Sequence, residues 1–265
     1  MAFPSSVRVI YDHNPLVEVV CQLKFPTVLR VSTGDIANFQ DKIREEYPLY
    51  ESKEPSFEFV NVPKELSAIV EMFPFPKSPG ATIIHKFLKK DKIRFISLSQ
   101  DFLAFSDNDY KKWDLFSAEV KKAEKALREI FQPAFYSRIG LRYRDMIMPQ
   151  ELGLSDCKWK DLLQKHIIGE LGDARVADNI SEIKTRTVIQ IPEVPGGYVT
   201  LVHGLVTDKA KSQQSYLIDA DFVIEGTEET NGAIELLDTL NRLAGRLFRW
   251  AISDTLHEAM GPQTV

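Results

Sequence analysis

Cysteine is nearly missing from this chain. Cys21 and Cys157 are the only two in 265 residues; they lie far apart and belong to no CxxC pair, which excludes a multi-bridge disulfide framework and a thiolate metal knuckle. Histidine is scarce as well. His13, His85, His166, His203 and His257 form no HxH, HExxH or His/Cys cluster, so the sequence carries no metal-site signature and calls for no cofactor. No GxSxG elbow, Walker A loop or GxGxxG fingerprint is present. No apolar run approaches the roughly 18 to 20 residues of a membrane helix, and MAFPSSVRVIYDH lacks the apolar stretch of a signal peptide. These absences lead to the expectation of a cytoplasmic, non-membrane protein with reduced, structural cysteines. A basic excess is also lacking, because the formal net charge is −5. Residues 1–132 hold 19 basic and 19 acidic side chains and the remainder 14 and 19, so the second half carries the whole imbalance. Nucleic-acid binding by counterion release needs a basic surface; the acidic balance disfavours it and leaves only a local basic groove open.

What is present is ordinary globular material. With 44% hydrophobic and 27% charged residues, the chain can bury a core and is not of the disordered class. Its length suits one large domain or two small ones. NPLVEVVCQLKF, residues 14–25, places Val17, Val19, Cys21, Leu23 and Phe25 on one face and Glu18, Gln22 and Lys24 on the other, the alternation of a strand. Ile36, Phe39 and Ile43 then follow helical spacing until Pro48, predicting a helix over 34–47. FEFVNV, SAIVEMF, ATIIHKF, KIRFISLS and FLAFS read as short strands, with LKKDKIRF as a hairpin turn. Trp113, Phe116, Val120, Ala123, Leu127 and Ile130 form the apolar stripe of a long amphipathic helix ending at Pro133.

The second half repeats this order. A strand in FYSRIGLRYRDMIM precedes a helix over 159–171. Strands in ISEIKTRTVIQI, YVTLVHGLVT and SYLIDADFVIEG follow, and one long terminal helix has Leu236, Leu240, Leu243, Leu247 and Ile252 as its stripe. The expected class is therefore α+β. It consists of two similar strand–helix–antiparallel meander–long helix halves, 1–132 and 133–265, in the order of helix-grip and TATA-binding-protein-like folds, packed as one unit.

Several clusters invite a chemical reading. Asp219, Asp221 and Glu225 share one strand face and could bind a divalent cation through oxygen; a solvated edge or pairing with arginines is the favoured account. His203, in an apolar strand, reads as structural. The Gly-Gly pair in EVPGGYV reads as a hairpin turn. KKAEKALRE interleaves lysine and glutamate as a solvated helix face does. Lys86, Lys89, Lys90, Lys92 and Arg94 make the most basic segment, and Lys89, Lys90 and Lys92 at its tip are candidates for contact with an anion or partner.

SRIGLRYRDMI, residues 137–147, carries the sharpest pattern. Arg138, Arg142 and Arg144 alternate with Ile139, Leu141 and Tyr143, so a strand here would present three guanidinium groups on one face. Water, an anionic ligand and the protein's own acids are all candidates to meet them. Glu18 and Gln22 repeat the four-residue spacing of Arg138 and Arg142 on the first strand. The favoured expectation is that these four meet in a polar seam between the halves, since arginine suits bidentate, partly buried pairing. Arg144 is then left to face something else.

NPLVEVVCQLKFP, FQDKIREEYP, ISLSQDFLAFS, RIGLRYRDMI and AISDTLHEAMG together resemble a sporadically distributed prokaryotic family of uncharacterised proteins. That family opens on an Asn-Pro-(Leu/Pro)-x-Glu-Val strand and has a central Arg-Ile-Gly-Leu-Arg-Tyr strand. The resemblance covers residues 8–261. This sequence departs after Tyr143, where the family pattern has an apolar residue and then Asn, and here Arg144 and Asp145 stand. The resemblance supplies no activity or catalytic residue. It implies a self-contained protein of patchy distribution, as accessory or defence-type genes have.

The leading functional expectation is a noncatalytic binding or regulatory module acting through a protein partner, with homo-oligomerisation open. One rival is a helix-grip pocket for a small ligand, lined by Trp113, Phe116 and Trp250. The other is a nucleic-acid-associated protein using Arg138, Arg142, Arg144 and the Lys86–Arg94 hairpin. An enzyme assembled from distant residues would leave no local motif.

Overall fold

A computed structural model describes residues 2–32, 34–53, 83–208 and 213–264. The segments FEFVNV and SAIVEMF, predicted as strands, lie outside the described residues. The structure is α+β, with antiparallel sheet and helices. Its strands are β1 Val9–Tyr11, β2 Leu16–Lys24, β3 Leu49–Lys53, β4 Ile84–Leu88, β5 Arg94–Ser99, β6 Phe102–Asp107, β7 Tyr136–Ile147, β8 Ile183–Gln190, β9 Gly197–Asp208, β10 Gln213–Glu228 and β11 Pro262–Thr264. Its α-helices are α1 Ile36–Ile43, α2 Trp113–Phe131, α3 Trp159–Leu162, α4 Lys165–Ile168, α5 Ala233–Ala251 and α6 Asp254–Ala259. The chain divides into two compact units. Unit I comprises Met1–Glu18, Leu141–Ile224 and Leu236–Val265; unit II comprises Val19–Gly140 and Glu225–Glu235.

In unit II the strand order is β3-β4-β5-β6-β2-β7. The LKKDKIRF turn forms between β4 and β5, closed by Lys89 N–H to Arg94 O at 3.0 Å, with Lys92 in the left-handed region (φ 59°). Helix α2 buries the expected stripe, Trp113, Phe116, Val120, Ala123 and Leu127, because 3.6-residue spacing keeps them on one side. Helix α1 is shorter than the predicted 34–47 and contributes Phe39, whose ring lies 5.4 Å from Phe87 and 6.1 Å from Phe131.

In unit I the order is β2-β7-β10-β9-β8, and β1 pairs with β11 to tie the N-terminal segment to the C-terminal one. Two predicted helices are corrected here. Residues 159–171 are not one helix: α3 stops at Leu162, Leu163 is extended (φ −120°, ψ 154°), and α4 is followed by a 3-10 turn. The terminal helix likewise breaks between α5 and α6. Both breaks have one cause. Leu163 bridges Ile252, Gln164 N–H bonds Ala251 O, and Ser253 N–H bonds Leu162 O, so each segment gives up a turn of its own helix to hydrogen-bond the other. Ser253 then caps α6 by accepting the Leu256 N–H.

Gly204 on β9 is required where β8 crosses it. A Cβ there would sit 1.9 Å from the backbone oxygen of Ile183. Gly204→Ala is therefore expected to loosen the β8–β9 ladder at a cost of about 1–3 kcal/mol, the usual scale of overpacking. Faster amide exchange in β8 and a lower urea midpoint would register it; an unchanged midpoint would refute the close approach.

Candidate functional site

Strand β7 alternates as the sequence implies, with Ile139, Leu141 and Ile147 fully buried and the arginines on the opposite parity. Each arginine has a partner from the chain itself. In unit II, Arg138 donates from Nη1 to Gln22 Oε1 at 2.6 Å. Gly140 leaves room for that guanidinium, since a Cβ there would meet Nη1 at 2.7 Å. In unit I, Arg142 grips Asp219 with both Nε (2.7 Å to Oδ1) and Nη2. Arg144 donates from Nη1 to Glu18 Oε2 at 3.1 Å, and its Nε lies 3.7 Å from Asp219. Glu18 hydrogen-bonds Arg144 and also acts by its charge on Arg142. One expectation is corrected: Arg144 is 4% exposed instead of facing outward. The cause is tertiary: Glu18 Oε2 lies 3.1 Å from Arg144, and β10, next to β7 in the sheet, brings Asp219 to Arg142.

The unit I network is two guanidiniums and two carboxylates. Burial works against the Arg142 charge, but Asp219 outweighs it and the guanidinium is held more firmly protonated than usual. A third carboxylate stands apart. Asp145 shares the parity of Tyr143 and Ile147, is 6% exposed, and among the described residues has no cation within ion-pair distance. Burial, with Asp219 nearby, pushes its carboxyl well above the usual range. Sequence reasoning noted Asp145 only as a departure from the family pattern. Its place on the apolar parity of β7 was the available signal.

The other candidates resolve locally. Asp219 of the carboxylate row is bound by Arg142, and Asp221 adds its charge to the same guanidinium. Lys89 bonds Glu119 at 2.9 Å and lies 5.1 Å over the Tyr47 ring. Lys92 is 4.0 Å from Glu51, Arg94 bonds Asp107 at 2.9 Å, and Lys90 is exposed. Acids thus answer most of the basic hairpin. Trp113 and Phe116 stack in the unit II core beside Phe105, and the half-buried Trp250 in unit I lies between Phe3 and His166. Among the described residues, no three His, Cys, Asp or Glu side chains are placed to hold a metal ion, and no helix is long and apolar enough to cross a membrane.

His203 is buried in unit I. Its Nδ1 is 2.7 Å from the Tyr216 hydroxyl, which donates to Ile167 O at 3.2 Å; a hydroxyl has one proton, so Nδ1 carries the ring hydrogen. Burial, aided by His166, lowers its pKa to about 4. A depressed base contributes stability that is complete above the unfolded value near 6.5 and is lost as pH falls toward 4. The expected loss is about 3 kcal/mol. Comparing wild type with His203→Gln in urea between pH 7 and 4 isolates it; parallel pH profiles would contradict it.

Strand β8 lies in ISEIKTRTVIQI, expected as a strand, but its place at the end of the sheet is what sequence reasoning passed over. From Lys184 to Val188 every residue is exposed, and only Ile183 and Ile189 are partly covered. It pairs β9 in unbroken register, Ile183↔Leu205 to Gln190↔Tyr198, and ends the strand order. The core stops one strand short of it: Val199, Leu201, His203 and Leu205 are buried on β9, whereas their neighbours Thr185 and Thr187 are not. Eight residues without proline or bulge thus form an edge whose outward amides and carbonyls meet no other described strand.

No protein-family profile matches the chain, and no curated protein matches it.

Proposed function

We propose that this chain is a noncatalytic interaction module that receives an extended segment of a protein partner along β8. The single observation behind this reading is the edge itself, eight regular residues, six of them exposed, paired on one side. Main-chain hydrogen bonds at such an edge supply affinity, and alternate side chains supply selectivity. The arginine strand supports it by contrast, since its guanidiniums already hold acids or amides of the same chain. The reading takes a helix-grip-like repeat as the scaffold and an accessory, defence-type setting as the context, following the family resemblance.

A photo-crosslinking residue at Thr187, with exposed Val176 as the control position, tests it in cells of the natural host. The expected result is a discrete adduct from position 187 alone, with alternate β8 amides exchanging more slowly in the complex. Equal labelling from both positions, or unchanged β8 exchange, would overturn it.

A further inference from the structure

We infer that the extended segment received by β8 is β8 of a second copy of this chain, paired antiparallel about a two-fold axis at Thr187. This inference rests on the strand-addition reading above and names the partner.

Two edge strands related by a two-fold axis normal to the sheet set residues of equal parity opposite each other, so the axis falls on a residue. The sequence of β8, IKTRTVIQ, then selects which one. An axis at Thr185 sets Lys184 opposite Arg186, and an axis at Arg186 sets that guanidinium opposite its own copy; like charges across a ladder are destabilising. An axis at Val188 avoids this but pairs only 186–190 of the strand. An axis at Thr187 pairs 184–190 and puts no like charges directly opposite. On the face that continues the buried row Val199, Leu201 and His203 of β9, Thr187 meets Thr187 and Thr185 meets Ile189, β-branched pairs that suit a pleated surface. On the other face Arg186 meets Val188 and Lys184 meets Gln190. Lys184 already interacts within its own chain, so a neutral amide opposite it suffices. The two Arg186 residues are diagonal neighbours about 7–8 Å apart, far enough for long side chains to diverge.

A second copy also suits the edge better than a flexible segment does. Both strands are formed beforehand, so neither bears the ordering cost of a disordered ligand, and one contact closes two open edges at once. Eight residues a side lie at the small end of specific interfaces, so the dimer is expected to be weak, with a Kd of about 10 μM.

Sedimentation of the whole protein, from well below to well above that concentration, tests it. The expected result is a reversible monomer–dimer equilibrium, with β8 amides exchanging more slowly in the dimer. Thr187→Cys is expected to give a disulfide-linked dimer under diamide, because directly opposite Cβ atoms lie about 5 Å apart. Thr185→Cys is not, because its copy lies four residues along the ladder, roughly 13 Å away. Wild type, whose thiols are Cys21 and Cys157, serves as the control. Thr187→Lys sets two cations opposite each other and is expected to weaken the dimer about fivefold, with the melting temperature at low concentration unchanged. Equal linkage through both introduced cysteines, or a dimer whose β8 amides exchange as in the monomer, would overturn the inference. A chain that stays monomeric while position 187 crosslinks a different protein in the host would overturn the second copy and leave strand addition standing. A monomer with no adduct from position 187 would overturn both.

Discussion

Asp219→Ala is expected to lower the stability of the protein by about 3–5 kcal/mol, the scale of breaking a buried ion pair from one side. The size follows from what is left behind. Arg142, with an 11% exposed side chain, loses both hydrogen bonds, and Arg144, with a 5% exposed side chain, keeps Glu18 but loses its second carboxylate at 3.7 Å. The buried Arg142 guanidinium then loses its bidentate partner and keeps only the weaker attraction of Asp221 and Glu18, which costs more than the pair itself contributes. Glu18→Ala is expected to destabilise in the same direction, because Arg144 loses its carboxylate acceptor at 3.1 Å. A control at Asp178, whose side chain is 73% exposed beside Lys158, should stay within about 0.5 kcal/mol. Urea midpoints at pH 7 settle the matter; a loss below about 1 kcal/mol for Asp219→Ala would mean that water reaches these arginines after all.

Asp145→Asn should act in the opposite direction and stabilise the protein at neutral pH. The folded state holds the Asp145 carboxyl above its ordinary value of 3.8, through burial and then Asp219. A raised acid contributes fully below the unfolded pKa and costs stability as pH rises toward the folded one. Asparagine never ionises, so the variant escapes that cost. Its advantage should be absent near pH 3.5 and then grow by up to about 1.4 kcal/mol per pH unit. A gain independent of pH would show that Asp145 is not the titrating group. The two predictions are also coupled. Removing Asp219 takes away a negative neighbour and leaves unneutralised arginine, so Asp145 should ionise more readily in Asp219→Ala and replace part of the lost charge. The double variant is therefore expected to be less stable than the two single effects added together.

Much of the scaffold can be read along the chain, and the residues show why. Alternation at Val19, Cys21 and Leu23, and at Ile139, Leu141 and Tyr143, announces β2 and β7, since strand geometry sends successive side chains to opposite faces. The stripe from Trp113 to Leu127 announces α2 for the analogous helical reason. The helices over 159–171 and at the C-terminus were overextended because periodicity sees only one segment at a time. The hydrogen bonds that end them, from Gln164 to Ala251 and from Ser253 to Leu162, join segments that local pattern cannot connect.

The candidate site divides along the same line. Residue chemistry alone placed three arginines on one face of a strand, with water, an anionic ligand or the chain's own acids as candidates to meet them. Only the tertiary structure decided which acids answer. Arg144 and Glu18 are 126 residues apart and Arg142 and Asp219 are 77 apart, and a shift of one ladder position in β7 would have turned the arginines to the other face, away from these acids. It also decided that Asp145 is enclosed and that β8 lies beyond the covered part of the sheet. Charge and periodicity belong to the residues themselves, whereas register, burial and an open edge arise from neighbours that the linear order does not name.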